Sequence, residues 1–139
     1  MMNHKIYHRN PTLSEYNELR LLAGWPLFSD EMVRTGLSNS IFSVVVLNEN
    51  DLITGMGRIL GDNAIYFHIQ DVIVRPEYQR QGIGKLIMNE LMDYLDRFGG
   101  KHTNIGLMCS KGREDFYKQF GFIERPNDKF GSGMIKIKA

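Results

Sequence analysis

The sequence predicts an α/β fold: one domain, residues 1–139, in which a mixed sheet carries helices on both faces. Runs of β-branched residues bounded by turn residues predict strands. They alternate with stretches in which apolar residues recur every three or four positions, which predict helices. Their predicted order is β-α-α-β-β-β-α-β-α-β-β, which is typical of such a sheet. With 139 residues, of which 42% are hydrophobic, the chain is long enough to bury one core.

The first half of the chain is predicted to hold a strand, two capped helices and a hairpin. Thr12 or Ser14, and later Ser29, precede apolar-periodic stretches and can accept hydrogen bonds from the free N–H groups of a first helical turn. In the second helix, Met32 and Val33 are predicted to face inward. The predicted ranges are a strand at 5–8, helices at 12–23 and 29–37, and hairpin strands at 43–47 and 52–60.

The second half begins with a long central strand and a long amphipathic helix. The two-residue period of a strand predicts that His68 and Gln70 share one face, whereas Asp71 points to the opposite face in a structural role. Gly99 and Gly100 end the helix. The predicted ranges are strands at 64–74 and 103–108, helices at 82–98 and 113–119, and final strands that begin at 122–123 and cover 133–138.

Composition argues against several functions. A net charge of +1, without runs of like charge, gives no field that would favour nucleic acid or an acidic membrane. The single cysteine, Cys109, excludes an internal disulfide and indicates no metal cluster, so we expect no metal. No apolar stretch has the length of a membrane span, and the N-terminal residues lack the apolar core of a signal peptide. We therefore expect a cytoplasmic protein.

The segment DVIVRPEYQRQGIGKLIMNELMDYL, residues 71–95, indicates a ligand site. Pro76 ends the strand, and the turn that follows, QRQGIG, brings two glycines to the start of a helix. Free N–H groups and the positive end of the helix dipole favour an anion there, and pyrophosphate is a common occupant. Neither the P-loop pattern nor the Rossmann fingerprint is present.

The pattern Q-x-x-G-x-G after a V-x-V-x-P strand end resembles the signature of the GNAT superfamily of acyl-CoA N-acyltransferases. A second stretch, FYKQFGF at residues 116–122, resembles the family ending FYxxxGF. The resemblance covers residues 43–122 well. It implies the GNAT fold, with a mostly antiparallel sheet that is splayed at the CoA site, and transfer of the acetyl group of acetyl-CoA to an amine.

The resemblance also implies where acetyl-CoA binds. The N–H groups of the turn would hold the pyrophosphate, while Arg80 and Lys85 either add charge or stay solvated. A backbone N–H near Ile73 or Val74 would stabilise the oxyanion, and the gap beside this strand would take the pantetheine arm. The expected cofactor-binding residues are Val72, Ile73, Val74, Gln79, Arg80, Gln81, Gly82, Ile83, Gly84, Lys85, Phe116 and Tyr117.

Two side chains are expected to transfer protons. Tyr117 stands at the position of the family's common catalytic tyrosine and would protonate the departing CoA thiolate; alternatively, it packs on CoA or on the core. His68 lies six residues before Val74, the offset of the general base in several family members. Histidine titrates near neutral pH, which suits this task. The alternative is a structural histidine and an acceptor that loses its proton through a water chain.

Acceptor binding is expected from the first two helices and their linker. Trp25 and Phe28 form either an aromatic wall for a small amine or a hydrophobic plug on the sheet. Gln70 would orient a water or the amine, and Arg58 would pair with an acceptor carboxylate or make an ordinary outward salt bridge.

The predicted function is acetylation of a primary amine on a small molecule, by direct attack within a ternary complex. The alternatives are acetylation of a protein N-terminus or lysine, and a CoA-binding domain without catalysis. The resemblance also allows a homodimer.

Overall fold

The computed structural model describes residues 3–139. Met1 and Met2 lie outside the described residues; they belong to the N-terminal segment that was considered as a signal peptide. The chain divides into two compact units, one ending at Leu107 and one spanning residues 108–139. The single domain over residues 1–139 stays a prediction.

The first unit is a five-stranded sheet with α-helices on both faces. Strands β1 to β4 are antiparallel neighbours in chain order, and β5 joins β4 in parallel. The mixed α/β class and the mostly antiparallel sheet are thereby confirmed. The strands are β1 Lys5–Tyr7, β2 Phe42–Leu47, β3 Ile53–Gly61, β4 Tyr66–Val74 and β5 Asn104–Leu107, and the helices are α1 Leu13–Leu22, α2 Asp30–Ser38 and α3 Ile83–Phe98.

The two N-terminal helices begin at the capping residues that the sequence indicates. At α1, the Thr12 hydroxyl accepts the Glu15 N–H (3.1 Å) and the Glu15 carboxylate accepts the Thr12 N–H (2.8 Å), which forms a capping box. At α2, the Ser29 hydroxyl accepts the Met32 N–H (3.3 Å). The inward orientation predicted for Met32 is wrong, because its side chain is exposed and Val33 with Leu37 forms the buried side of α2.

Helix α3 lies unusually close to strand β3 because two of the strand residues that face it are glycines. A Cβ atom at Gly57 would lie 2.6 Å from Ile87 Cγ2, and a Cβ at Gly55 would lie 2.8 Å from Ile87 Cδ1 and 2.9 Å from Ile83 Cγ2. Real carbon atoms do not approach so closely. The glycines therefore fix the depth at which α3 packs, and with it the position of the N-terminal end of α3.

The opposite face of the sheet is covered by α1 and α2. Here Met56 and Ile73 join Tyr16 and Leu19 of α1 in one buried cluster. Met56 lies between Gly55 and Gly57, so the alternation of side chains along β3 puts the cluster and α3 on opposite faces.

A β-bulge interrupts the pairing of β3 and β4. Met56 pairs with Ile73 but Arg58 pairs with Gln70, so Asp71 and Val72 together oppose Gly57. Asp71 adopts the left-handed backbone conformation, with φ of 58°. The orientation predicted for Asp71 is therefore wrong: the bulge brings its carboxylate to the Arg58 guanidinium, on the face that Arg58 shares with Gln70.

The second unit contains one short helix, α4 Glu114–Lys118. Gly121, with φ of 90°, follows this helix in the left-handed conformation. The strands predicted at 122–123 and 133–138 are wrong, since no strand follows β5 among the residues that the structure describes. Met134, Ile135 and Ile137 are exposed there. An alternating pattern forms a strand only where a neighbouring strand satisfies its backbone, and none of the described residues pairs with this segment as a strand.

We expect Gly57→Ala to lower the free energy of unfolding by about 1–3 kcal/mol, because the new methyl group would occupy the space of Ile87. Gly36→Ala is the matched control. Gly36 lies within α2 with no atom within 4 Å of a Cβ, so alanine should stabilise the protein by up to about 1 kcal/mol. Urea denaturation measures both changes. Equal stability of Gly57→Ala and the wild type would contradict the close packing of α3.

Candidate functional site

The sheet opens where strand β4 extends past strand β5. Among the described residues, the ladder between these strands ends at the pair Ile69–Leu107, whereas β4 continues to Val74. The bulge at Asp71 follows directly, and a bulge bends its strand and increases its twist. The segment expected to bind the pantetheine arm, from Val72 to Val74, lies in this extension. Of these, Val72 turns its side chain toward α3, since its Cγ2 lies 3.4 Å from where a Gly57 Cβ would stand.

The turn after β4 leads into α3 through two left-handed residues. Arg80 has φ of 64° and Gly82, the N-cap residue, has φ of 85°. Among residues 3–139, no side chain caps α3 and no atom lies within 4 Å of a Cβ built on Gly82. The N-terminal end of a 16-residue helix therefore presents backbone N–H groups beside open space, which is the arrangement that binds anions.

The expected residues of this turn take different roles. Gln79 donates its amide to the Val74 carbonyl (3.1 Å) and Gln81 donates to the Glu77 carbonyl (3.3 Å), so both side chains brace the turn. Ile83 is buried beneath it, and only its backbone can reach a ligand. Among the remaining expected residues, Arg80 and Lys85 are exposed.

His68 and Gln70 are brought together on β4, as expected. His68 Nε2 and Gln70 Oε1 lie 3.1 Å apart. If the Gln70 carbonyl accepts, Nε2 carries the proton and Nδ1 is the basic nitrogen. His68 pairs with Gly106 on β5, and its Nδ1 lies 3.9 Å from where a Gly106 Cβ would stand.

The side chains expected to bind the acceptor surround a buried cluster of charges. Arg58 donates to Asp71 (2.8 Å), and also to the Gly36 carbonyl (3.0 Å) and the Ser40 hydroxyl (3.1 Å), so the structure places it in an internal ion pair. Trp25 packs against the core, whereas Phe28 is exposed. Whether Trp25, Phe28 and Arg58 contact an acceptor stays a prediction.

Sequence reasoning missed the partners in this cluster. Tyr16 donates its hydroxyl to Asp71 (2.8 Å), and Arg20 donates to the same carboxylate (3.1 Å). Burial, followed by the Asp71 charge, raises the pKa of the Tyr16 phenol, which therefore keeps its proton at neutral pH. Two features of the sequence could have indicated these partners. An arginine lies four residues after Tyr16 on the apolar side of α1, and a carboxylate lies within an apolar strand.

In the second unit, α4 sets Tyr117 within an aromatic cluster. The Phe116 and Phe122 rings contact it edge-on, with centroids 5.0 and 6.3 Å away. Burial raises the pKa of Tyr117; the nearby Cys109 adds to this rise and Arg113 opposes it. The phenol therefore holds its proton at neutral pH, as a general acid must. Burial also raises the pKa of Cys109, whose thiol donates to the Ser110 carbonyl (3.1 Å).

Residues 3–139 contain neither a metal-binding cluster of side chains nor a membrane-spanning helix. No group of three or more His, Cys, Asp or Glu side chains could hold a metal ion. No helix in that range is long and apolar enough to cross a membrane.

Comparison with known proteins points to one family. The family model described as "Acetyltransferase (GNAT) domain" matches residues 14–137, which spans both units. A crystal structure described as a protein of unknown function and probable acetyltransferase, from meticillin-resistant Staphylococcus aureus, is 32% identical. It superposes with a TM-score of 0.89 over 99% of this chain and 100% of that one.

Two curated relatives extend the comparison. The uncharacterized N-acetyltransferase ycf52 of Pyropia yezoensis is 28% identical over 86% of this chain and 70% of its own length. The histone acetyltransferase TAP1 of Glycine max is 38% identical over 57% of this chain and 33% of its own length.

Proposed function

Since the chain belongs to the GNAT superfamily of acetyltransferases, we propose that it acetylates a primary amine of a small molecule by direct attack of the amine on acetyl-CoA within a ternary complex. The family makes it an acyltransferase and implies acetyl-CoA as the donor. The observation that carries the proposal is the opening of the sheet beyond Ile69, beside the uncapped N-terminal end of α3.

The first unit offers an extended path for the cofactor. The pyrophosphate would accept hydrogen bonds from backbone N–H groups of the turn and the first turn of α3, residues 79–85. The pantetheine arm would lie along β4 from Val72 to Val74, in the place of a missing strand. A backbone N–H near Ile73 or Val74 would then face the thioester oxygen, where negative charge develops in the tetrahedral intermediate.

Proton transfer would use two side chains. An ammonium group is not a nucleophile, so His68 would take a proton from the acceptor amine before or during attack. Its pairing with Gln70 supports this assignment, because a carbonyl that accepts from one ring nitrogen leaves the other as the base. Tyr117 would give its proton to the CoA thiolate as the carbon–sulfur bond breaks. Its phenol is protonated at neutral pH, as a general acid must be.

Acetylation of a protein or peptide is the second candidate. The exposed apolar side chains Leu21, Leu27, Phe28 and Met32 on the first two helices and their linker favour it, because a larger acceptor could cover them. The partial similarity to the histone acetyltransferase TAP1 points the same way.

A screen separates the candidates. The protein and acetyl-CoA are incubated with small amines: amino acids, polyamines and amino sugars. A parallel set contains peptides that carry a free N-terminus or lysine. Release of free thiol measures turnover in both sets. We expect turnover with at least one small amine to exceed that with every peptide. Turnover confined to peptides would reject the small-molecule proposal. CoA binding without turnover on any acceptor would favour a domain without catalysis.

We expect Gly82→Asp to weaken CoA binding at least tenfold, because a carboxylate would stand beside the pyrophosphate. Gly82→Asn is the matched control: asparagine has nearly the same shape and also tolerates a positive φ, but carries no charge. Nothing lies within 4 Å of the new Cβ, so both variants should fold. Titration calorimetry with CoA measures the affinities. Equal affinity of the aspartate and asparagine variants would show that the phosphates bind elsewhere.

We expect Tyr117→Phe to reduce kcat about a hundredfold or more while CoA affinity changes little, because the phenol is needed only to protonate the thiolate. In the wild type, the raised pKa of Tyr117 should keep the acid protonated and move the alkaline loss of activity to higher pH. Steady-state kinetics and calorimetry measure both. Wild-type kcat in Tyr117→Phe would mean that the ring only packs.

We expect the rate at limiting acceptor to rise with pH, because the base must be unprotonated to accept a proton. His68→Ala should abolish this limb or move it toward the pKa of the acceptor amine. His102→Ala is the control, since His102 is an exposed residue outside the predicted site. pH–rate profiles test all three proteins, with circular dichroism to confirm folding. An unchanged profile in His68→Ala would place the base elsewhere.

A further inference from the structure

The Asp71 carboxylate is a junction of three hydrogen bonds in the interior of the first unit. Its side chain is 1% exposed. One oxygen accepts from Arg20 Nη1 (3.1 Å), and the other accepts from Arg58 Nε (2.8 Å) and from the Tyr16 hydroxyl (2.8 Å). Two guanidinium groups, that of Arg20 buried and that of Arg58 partly buried, thus share one carboxylate.

Each guanidinium also binds one end of the same segment, residues 26–40, which we call the α2 arm. At its start, Arg20 Nε and Nη2 donate to the Pro26 carbonyl (3.2 and 2.8 Å). At its end, Arg58 Nη1 donates to the Gly36 carbonyl and the Ser40 hydroxyl. The arm therefore has its two ends tied, through two arginines, to a single carboxylate.

Few other contacts define the position of the arm. Within α2, only Val33 and Leu37 are buried, and Asn10 donates one hydrogen bond to the Leu37 carbonyl (2.8 Å). The Arg20 guanidinium also stacks against the rings of Trp25 and Phe28, at 5.3 and 5.0 Å from their centroids. Moving Arg20 would therefore move both aromatic side chains that face the start of the arm.

The junction lies at the bulge of β4, next to Gln70 and three residues from His68. The junction therefore fixes the position of the arm relative to β4, the strand that carries the proposed base. We propose that Asp71 is a positioning residue that sets acceptor specificity, by holding the α2 arm through Arg20 and Arg58 at a fixed place against the β4 bulge. The link to the acceptor rests on the proposed function, whereas the link to the arm does not.

The chain offers a matched control for Arg20. Arg75 is equally buried, since both side chains are 8% exposed, and it also pairs with a carboxylate, that of Glu18 on α1 (2.7 Å). Its Nε donates to the Ile53 carbonyl and not to the arm. Lysine retains the charge at either position, but it lacks the planar fork that joins two acceptors at once.

The test compares Arg20→Lys, Arg58→Lys and Arg75→Lys with the wild type. Trp25 is the only tryptophan and directly precedes the arm, so its fluorescence reports on the start of the arm and on the Arg20 guanidinium that stacks against it. We expect the acrylamide quenching constant to rise about twofold in Arg20→Lys and to stay at the wild-type value in Arg75→Lys. With the amine that turns over best, we expect Arg20→Lys and Arg58→Lys to raise the acceptor KM about tenfold with a smaller change in kcat. CoA affinity by calorimetry should stay within about twofold.

Four results would overturn the proposal. Wild-type quenching in Arg20→Lys, or an equal rise in Arg75→Lys, would show that Arg20 does not specifically hold the arm. Raised quenching with an unchanged acceptor KM would show that the arm does not shape the acceptor site. Loss of CoA affinity equal to the loss for the acceptor would indicate a general structural role. If the wild type neither binds CoA nor acetylates any amine, the proposed function itself fails, and with it the acceptor role of Asp71.

Discussion

One buried carboxylate determines much of the first unit. Asp71 occupies a left-handed position at a β-bulge, a conformation that costs a residue with a side chain roughly 1–2 kcal/mol. Three charge-assisted or phenolic hydrogen bonds to α1 and β3 offset that cost. A buried charge that loses its partner is strongly destabilising, so the bulge, the two arginines and the elements that carry them depend on one another.

The bulge also organises the opening in the sheet. It follows directly after the last pair between β4 and β5, so β4 bends at the point where it loses its parallel neighbour. On the other face, Gly55 and Gly57 let α3 pack against β3 and bring its N-terminal end beside the end of β4. The Asp71 carboxylate on one face of the sheet and the two glycines on the other thus determine the cofactor path that we propose.

Much of this could be predicted because its causes are local. The caps at Thr12 and Ser29 act within one helical turn, and the two-residue period of a strand suffices to put His68 beside Gln70. The predictions that were wrong concern features that depend on residues close in space but distant in sequence. Residues 133–138 have the alternation of a strand, but no described residue pairs with them as a strand. Met32 has an apolar side chain on the exposed side of its helix.

By itself the sequence determined the fold class, nearly all the elements of the first unit, and the glycine-bearing turn at the start of α3, because short-range periodicity, caps and turn chemistry are written in consecutive residues. Tertiary structure alone decided the register of β3 against β4, and therefore the face to which Asp71 points. It also decided that Arg58 and Arg20 share that carboxylate. The physical reason is that a bulge and a buried ion pair are each defined by two chain segments that meet only after folding.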